Sequence, residues 1–378
     1  MLIVILNWRC IKNPKEGGAE RTTFEYAKYW LSKGHKVVWV ANRYKNSKKF
    51  ETIEGVSFIR VGFNLNTHLF WFILRYPFYL FSVWRILLTK YWLNHDVKLI
   101  VDEIHGFPHF ASLLKNKRVV LLTCEVAGSE IWSKMFPFPF NILGVQLEKF
   151  IYRFYKNNEI WTISQSTTKD VKQLNPALNV KILPLGISTL QKSNPVGVTK
   201  NSYPTALFVA RVVKMKGVED AIKAAQIICK KFPNFVLNIV GGGEDSYILS
   251  LKKLAVDLNI SKNVNFLGYV SEKKKYSLYR QSHFLFHPSF KEGFGLTVLE
   301  AGLVKTPSIV RGGSSLDELV KDNKNGFVVN NYREMATKFI NSINNKKVYN
   351  HLCLEAYKNA NNYLWPKVLQ KSKSVTQI

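Results

Sequence analysis

At 378 residues the chain is long enough for two domains, each with its own core, and 47% hydrophobic residues exclude a disordered chain. Its 54 Lys+Arg against 26 Asp+Glu leave a net charge of +28, a field that draws phosphorylated ligands and an anionic membrane surface. No basic tail, zinc finger or RNA-binding aromatic motif singles out nucleic acid, and none is expected as a partner.

The opening run Leu2-Ile3-Val4-Ile5-Leu6 is too short for a signal peptide and lacks a basic lead, so it reads as a first strand. A long loop follows and carries Gly17-Gly18-Ala19-Glu20. Phe24, Ala27, Trp30 and Leu31 then recur at helical spacing over Thr22–Ser32, and Lys36–Ala41 reads as a second strand. This is a βαβ unit with a glycine pair at the helix entrance, where backbone can approach a phosphate or a sugar.

Residues 68–93 are the most apolar stretch, but Arg75, Pro77 and Arg85 interrupt it. An element lying in a membrane interface, aromatics in lipid and basic groups at the headgroups, fits better than a spanning helix. The competing reading is a pair of buried helices over the first sheet. Short strands follow at Lys98–Val101, Val119–Leu122 and Glu159–Ile163. Asp102, Glu103, Cys124 and Glu125 stand at strand ends, where open α/β sheets bind ligands. His105 and His109 are four apart, yet Gly106 and Pro108 between them argue against a helical metal pair. No metal site is expected. The four cysteines are scattered with no Cys-x-x-Cys pair, which suits a reducing compartment.

A polar segment, 186–204, reads as a linker between an N-terminal domain at 1–185 and a C-terminal domain at 205–364, with a tail at 365–378. The second half opens with a strand at Thr205–Ala210, followed by Arg211, Lys216 and a helix after Gly217. Strand Phe235–Val240 runs into Gly241-Gly242-Gly243. Val264–Leu267 and a helix at 272–281 come next.

The stretch from His283 to Val310 then reads as strand, loop, helix and strand. Gly293 and Gly295 let the backbone approach a ligand, and the amides of Phe294, Gly295 and Leu296 lie at a helix N-terminus, a ready anion site. Glu292 precedes that helix and Glu300 lies one and a half turns inside it.

Taken in order, Gly17-Gly18-Ala19-Glu20, Arg211 through Lys216-Gly217, the Gly241 triplet with Glu244, Gly268-Tyr269-Val270, and Glu292 through Glu300 resemble the family 4 retaining glycosyltransferases (glycosyl transferases group 1). The resemblance implies the α/β GT-B fold, two Rossmann-like parallel-sheet domains facing a central cleft, with donor on the second and acceptor on the first. It implies a nucleotide-diphosphate sugar as donor substrate, no further cofactor, and transfer without a metal. The chain carries no Asp-x-Asp motif.

By the same resemblance Arg211 and Lys216 clamp the diphosphate and Glu300 takes the ribose hydroxyls. Glu292 holds the sugar at the reacting centre beside the amides of Phe294 and Gly295. Gly17 and Gly18 close over the phosphate–sugar side. The implied acceptor is a lipid-linked or cell-surface glycan, and the implied place the cytoplasm, peripheral on the inner membrane face. A catalytically silent binder of nucleotide-sugar or glycan is the alternative.

The chain departs from relatives at two acceptor-side positions: Cys124 where many carry histidine, and Cys10 where some carry an acid. The expectation is that Cys124 is a spectator and that Glu125, with Asp102 or Glu103, orients the acceptor hydroxyl.

Overall fold

The computed structural model describes residues 1–377 except 15, 64–68, 90–96, 105–107, 136 and 189–198, and in the helix Leu69–Leu88 its side-chain description begins at Tyr76. The chain divides into two compact units, 1–184 with 369–378, and 185–368.

The first unit holds an eight-stranded sheet in the order β3-β4-β2-β1-β5-β6-β7-β8. The strands are β1 (Leu2–Asn7), β2 (Lys36–Asn42), β3 (Phe50–Ile53), β4 (Val56–Val61), β5 (Val97–Ile104), β6 (Val119–Thr123), β7 (Glu159–Thr162) and β8 (Asn179–Ile182). All pair in parallel except the β3–β4 edge hairpin, closed by Glu54-Gly55, which the sequence reading passed over. The helices are α1 (Gly18–Ser32), α2 (Leu69–Leu88), α3 (Gly128–Met135), α4 (Phe140–Phe154) and α5 (Gln165–Leu174).

Strand alternation sorts β1 into two sets. Leu2, Val4 and Leu6 face a core shared with Tyr79, Val83 and Leu87 of α2 and Tyr152 of α4, so α2 and α4 cover one face of the sheet. The helix α1 buries Phe24, Ala27 and Trp30, and Glu20 reaches back to the amide of Gly17 at 2.8 Å, closing its N-terminus. The 68–93 stretch thus contains a helix with one face in the core, while 68 and 90–93 lie outside the described residues. No helix of the described residues is long and apolar enough to cross a membrane.

The second unit holds an all-parallel six-stranded sheet in the order β11-β10-β9-β12-β13-β14. Its strands are β9 (Thr205–Val209), β10 (Val236–Val240), β11 (Val264–Gly268), β12 (Phe284–His287), β13 (Ser308–Arg311) and β14 (Gly326–Val329). The helices are α6 (Val218–Lys231), α7 (Asp245–Asp257), α8 (Glu272–Gln281), α9 (Leu296–Leu303), α10 (Leu316–Leu319), α11 (Tyr332–Asn344), α12 (Lys346–Asn361) and α13 (Trp365–Thr376). The inner strands β9, β12 and β13 are near-continuously apolar and buried on both faces, as a parallel sheet under helices demands, while the edge strand β11 is largely exposed. Side chains end the loops crisply: Ser271 caps α8 and Asn331 caps α11.

The tail expected at 365–378 is a helix, α13, with Pro366 in its first turn, where no amide is needed. Its last two turns belong to the first unit, and Arg118 donates to the carbonyl of Thr376 at 2.8 Å.

Candidate functional site

In the second sheet β9 and β12 are neighbours, but the chain leaves β9 toward β10 and β12 toward β13. At such a reversal the loops leaving the two strands diverge, and a ligand can sit outside their C-terminal ends. Here those loops are 210–217 and 288–295. They are joined by the amide of Phe290, which donates to the carbonyl of Met215 at 2.9 Å. Arg311, at the end of β13, holds the second loop from behind. It donates to the carbonyl of Pro288 at 3.3 Å, lies 4.2 Å from the ring centroid of Phe290, and pairs with Asp220.

Glu292 is the focus of this junction. Its carboxylate accepts from the Lys216 ammonium at 2.7 Å and meets His287 Nε2 at 2.9 Å, while Ser315 Oγ donates to its backbone carbonyl at 2.7 Å. Thr297 Oγ1 lies 3.3 Å from His287 Nδ1. Burial alone would push the carboxyl upward. The hydrogen bond from His287 and the charges of Lys216 and His287 outweigh it and hold Glu292 down at about 2. The site therefore keeps a fixed negative charge beside a cation, at the start of a helix.

That helix is α9. Gly295, its N-cap, has φ +105°, and a Cβ there would come within 2.6 Å of Leu316 Cδ2. Only glycine lets the chain turn so tightly and leave the first amides of α9 pointing out of the helix end. Gly241 meets the same demand at the end of β10: with φ +131°, a Cβ would lie 1.9 Å from the carbonyl oxygen of Ala210. Gly293 and Phe294 are buried in the loop, with Phe294 packed edge-on to Tyr363. Leu296 opens α9.

Arg211 is exposed and makes no ion pair with any described residue. Glu300 faces α8, paired with Lys275 at 3.0 Å and accepting from Tyr279 at 3.0 Å. The structure thus brings Lys216 and Glu292 into contact, sets Gly293, Phe294, Gly295 and Leu296 in the adjoining turn, and hangs Glu300 on the same short helix. Sequence reading assigned no role to His287, Lys275, Tyr279 or Arg311. His287 ends the strand five residues before Glu292, a spacing that a strand-then-turn argument could have flagged.

In the first unit the expected ligand-side residues divide. Strand β5 runs on through Ile104, so Asp102 and Glu103 are inside the sheet rather than beyond its end, and both are fully buried. Asp102 accepts from His109 Nδ1 at 2.8 Å, from the amides of His109 and Ala111, and from the Tyr155 hydroxyl. Burial would raise its pKa, but His109 and Tyr155 hold it below the usual carboxylate value. Its oxygens are committed to holding the 108–111 segment on the sheet, which corrects the expectation that Asp102 orients a ligand.

Cys10 is also structural, fully buried with its sulfur 3.3 Å from Arg60 Nε. Cys124 lies 4.0 Å from Glu103. Burial and the charges of Glu103, Glu20 and Glu125 push its thiol well above the usual value, which keeps it neutral despite the chain's net positive charge. Glu125, next in the chain, is exposed. Gly17 and Gly18 are exposed at the entrance to α1, beside Glu20 and its partner Arg9 at 3.1 Å. Among the described residues no cluster of His, Cys, Asp and Glu is arranged to hold a metal ion.

Two family models match consecutive parts of the chain: Glycosyltransferase Family 4 over residues 16–190 and Glycosyl transferases group 1 over 191–361. Among curated proteins, the alpha-monoglucosyldiacylglycerol synthase of Acholeplasma laidlawii is 31% identical over 157 residues, 42% of this chain and 39% of that protein. The chain's matches span about half or less of the length of the curated relatives. Among solved structures, sucrose-phosphate synthase from Thermosynechococcus elongatus superposes with a TM-score of 0.83 at 16% identity, covering 100% of this chain and 98% of that one. HepE from Anabaena, solved with UDP and glucose, superposes with a TM-score of 0.74 at 17% identity, covering 100% and 99%. The fold of the chain is GT-B.

Proposed function

Because the chain belongs to the glycosyltransferases of family 4 and group 1, we propose that it moves a hexose from a nucleotide-diphosphate sugar to a lipid-linked or cell-surface glycan acceptor, with retained anomeric configuration and no bound metal. The observation that carries this reading is the ionised Glu292 held between Lys216 and His287 at the strand-order reversal of the second sheet. An ammonium has three donors, and Glu292 takes one, leaving Lys216 able to bind a phosphate oxygen as well. With Arg211 and the first amides of α9 it offers fixed positive charge to a leaving diphosphate. Glu300, steadied by Lys275 and Tyr279, offers a carboxylate for the ribose hydroxyls.

In the proposed transfer, the bond from the sugar carbon to the diphosphate oxygen breaks as the acceptor oxygen bonds to the same face of that carbon. The acceptor proton ends on the departing diphosphate. Glu292 orients the sugar and steadies positive charge at the reacting carbon. HepE, crystallised with UDP and glucose, supports a nucleoside diphosphate and a hexose as donor parts, and the name of the Acholeplasma relative supports a lipid-borne acceptor.

The test is a thermal-shift screen of nucleotide-sugars followed by transfer assays. A donor at about 100 times its dissociation constant stabilises the protein by about 2.7 kcal/mol. If no nucleoside diphosphate or nucleotide-sugar moves the melting temperature, the donor assignment falls.

On the acceptor side, Cys124→Ala is expected to keep most transfer, since a neutral thiol among carboxylates positions little. Glu125→Ala is expected to lose about 10²-fold, the usual scale for a positioned acid or base. Rates measured with donor binding checked in parallel decide this. A Cys124→Ala variant that binds donor but transfers nothing overturns the spectator role.

A further inference from the structure

The second sheet has two margins, and they differ. Strand β14 has Gly326, Phe327 and Val329 buried, whereas in β11 Asn265, Leu267 and Gly268 are exposed. No described strand pairs with the outer side of β11, so a row of backbone donors and acceptors meets solvent there. The ladder with β10 is regular through Val264, Asn265 and Phe266. Leu267 is then bulged out between the pairs Ile239–Phe266 and Val240–Gly268.

Helix α7 runs beside this margin. It buries Leu251 and Ala255, and its Leu254 packs with Phe266 of β11 against the same core. Leu249, Lys252 and Val256, spaced 3 and 4, share another side of the helix, and Leu249 and Val256 are 63% and 59% exposed. Lys252 Nζ lies 5.9 Å from the centroid of the Phe266 ring, which brings that side of α7 to the strand. Between helix and strand lies a groove of about 450 Å³, with Lys252, Val256, Ser261, Asn265 and Leu267 in its walls. A free strand edge gives an extended peptide its main-chain hydrogen bonds, and a groove beside it receives alternate side chains.

Charge chooses among the occupants. From 246 to 270 the chain has three lysines, Lys252, Lys253 and Lys262, all exposed, against one acid, Asp257. A second copy of the chain, pairing β11 with β11 about a two-fold axis, brings these lysines together in molecules that each carry +28. An acidic segment meets them with opposite charge. We propose that the β11–α7 groove binds an extended acidic segment of a partner protein. The segment adds to the sheet along Val264–Phe266, lays apolar side chains against Val256 and Leu249, and sets carboxylates at Lys252 and Lys262. This does not depend on the transfer chemistry, because binding there needs neither donor nor acceptor.

The experiment is fluorescence anisotropy of the full chain with three labelled heptapeptide probes, in which Glu alternates with Val, Ile or Tyr. Two further sets carry N-methyl groups on every second amide, one set in each phase. Methylation keeps the charge and the side chains, and one of the two phases blocks the amides that face β11. An acidic probe is expected to bind, and its form methylated in the blocking phase to bind about tenfold more weakly or worse. L249S with V256S, and separately K252E with K262E, are each expected to weaken binding about tenfold. The melting temperature of both variants stays that of the parent, because the replaced side chains are exposed. Failure of all three acidic probes to bind at low salt overturns the proposal. Equal binding by both methylated sets also overturns it, since charge attraction alone then explains the binding. A dimer that L249S with V256S converts to monomer, without probe binding, overturns it in favour of a second copy of the chain.

Discussion

Glu292→Gln is expected to lower the transfer rate about 10³-fold while donor affinity changes little. The amide has the same size and can still accept from Lys216, so the loop and its contacts to Met215 and Arg311 persist. What is lost is the fixed charge at the reacting centre. Rate and donor affinity measured on the same preparation decide it, and near-normal turnover would falsify the role given to Glu292.

The carboxyl's pKa of about 2 carries a pH signature. Its folded value is depressed from the ordinary 4.5, so the stabilisation it supplies is present in full above 4.5 and lost as pH falls toward 2. His287→Ala removes the first of the groups that hold it down, and the acid limb of the rate profile should then move upward. An unmoved limb would show that the limb belongs to another group.

Arg211→Ala and Lys216→Ala are each expected to weaken nucleoside-diphosphate binding by about 10²-fold, with little effect on a nucleoside lacking phosphates. The contrast matters because the exposed Arg211 makes no ion pair with any described residue. Lys216 does make one, with Glu292, so its variant should also slow transfer at saturating donor. Titration calorimetry with nucleoside and nucleoside diphosphate reads both outcomes. Should both variants hold the diphosphate as tightly as the parent, the phosphate contacts lie elsewhere.

What the chain's sequence determines by itself is local. Apolar runs bounded by glycine and proline mark the strands β1, β9, β12 and β13 to within a residue or so, because burial on both faces leaves little else those segments can be. Glycine at 241 and 295 is legible for the same kind of reason: the turn needs a backbone that a side chain would block. Glu292 and Glu300, on one loop and the helix it opens, are placed by spacing alone.

Contact between Lys216 and Glu292 is another matter. The two are 76 residues apart and meet only because β9 and β12 lie side by side in the sheet order, a long-range pairing that no local pattern encodes. The same holds for Asp102. Its place at a strand end looked open to ligand, but β5 runs three residues further between β1 and β6, and His109 and Tyr155 close over its carboxylate. Likewise the apolar periodicity of 140–154 cannot say which of its two apolar sides is covered. Only the packing of Ile151 and Tyr152 onto the sheet leaves Leu143, Leu147 and Phe150 facing outward. Periodicity fixes which residues share a face, whereas the neighbours available in three dimensions decide what each face meets.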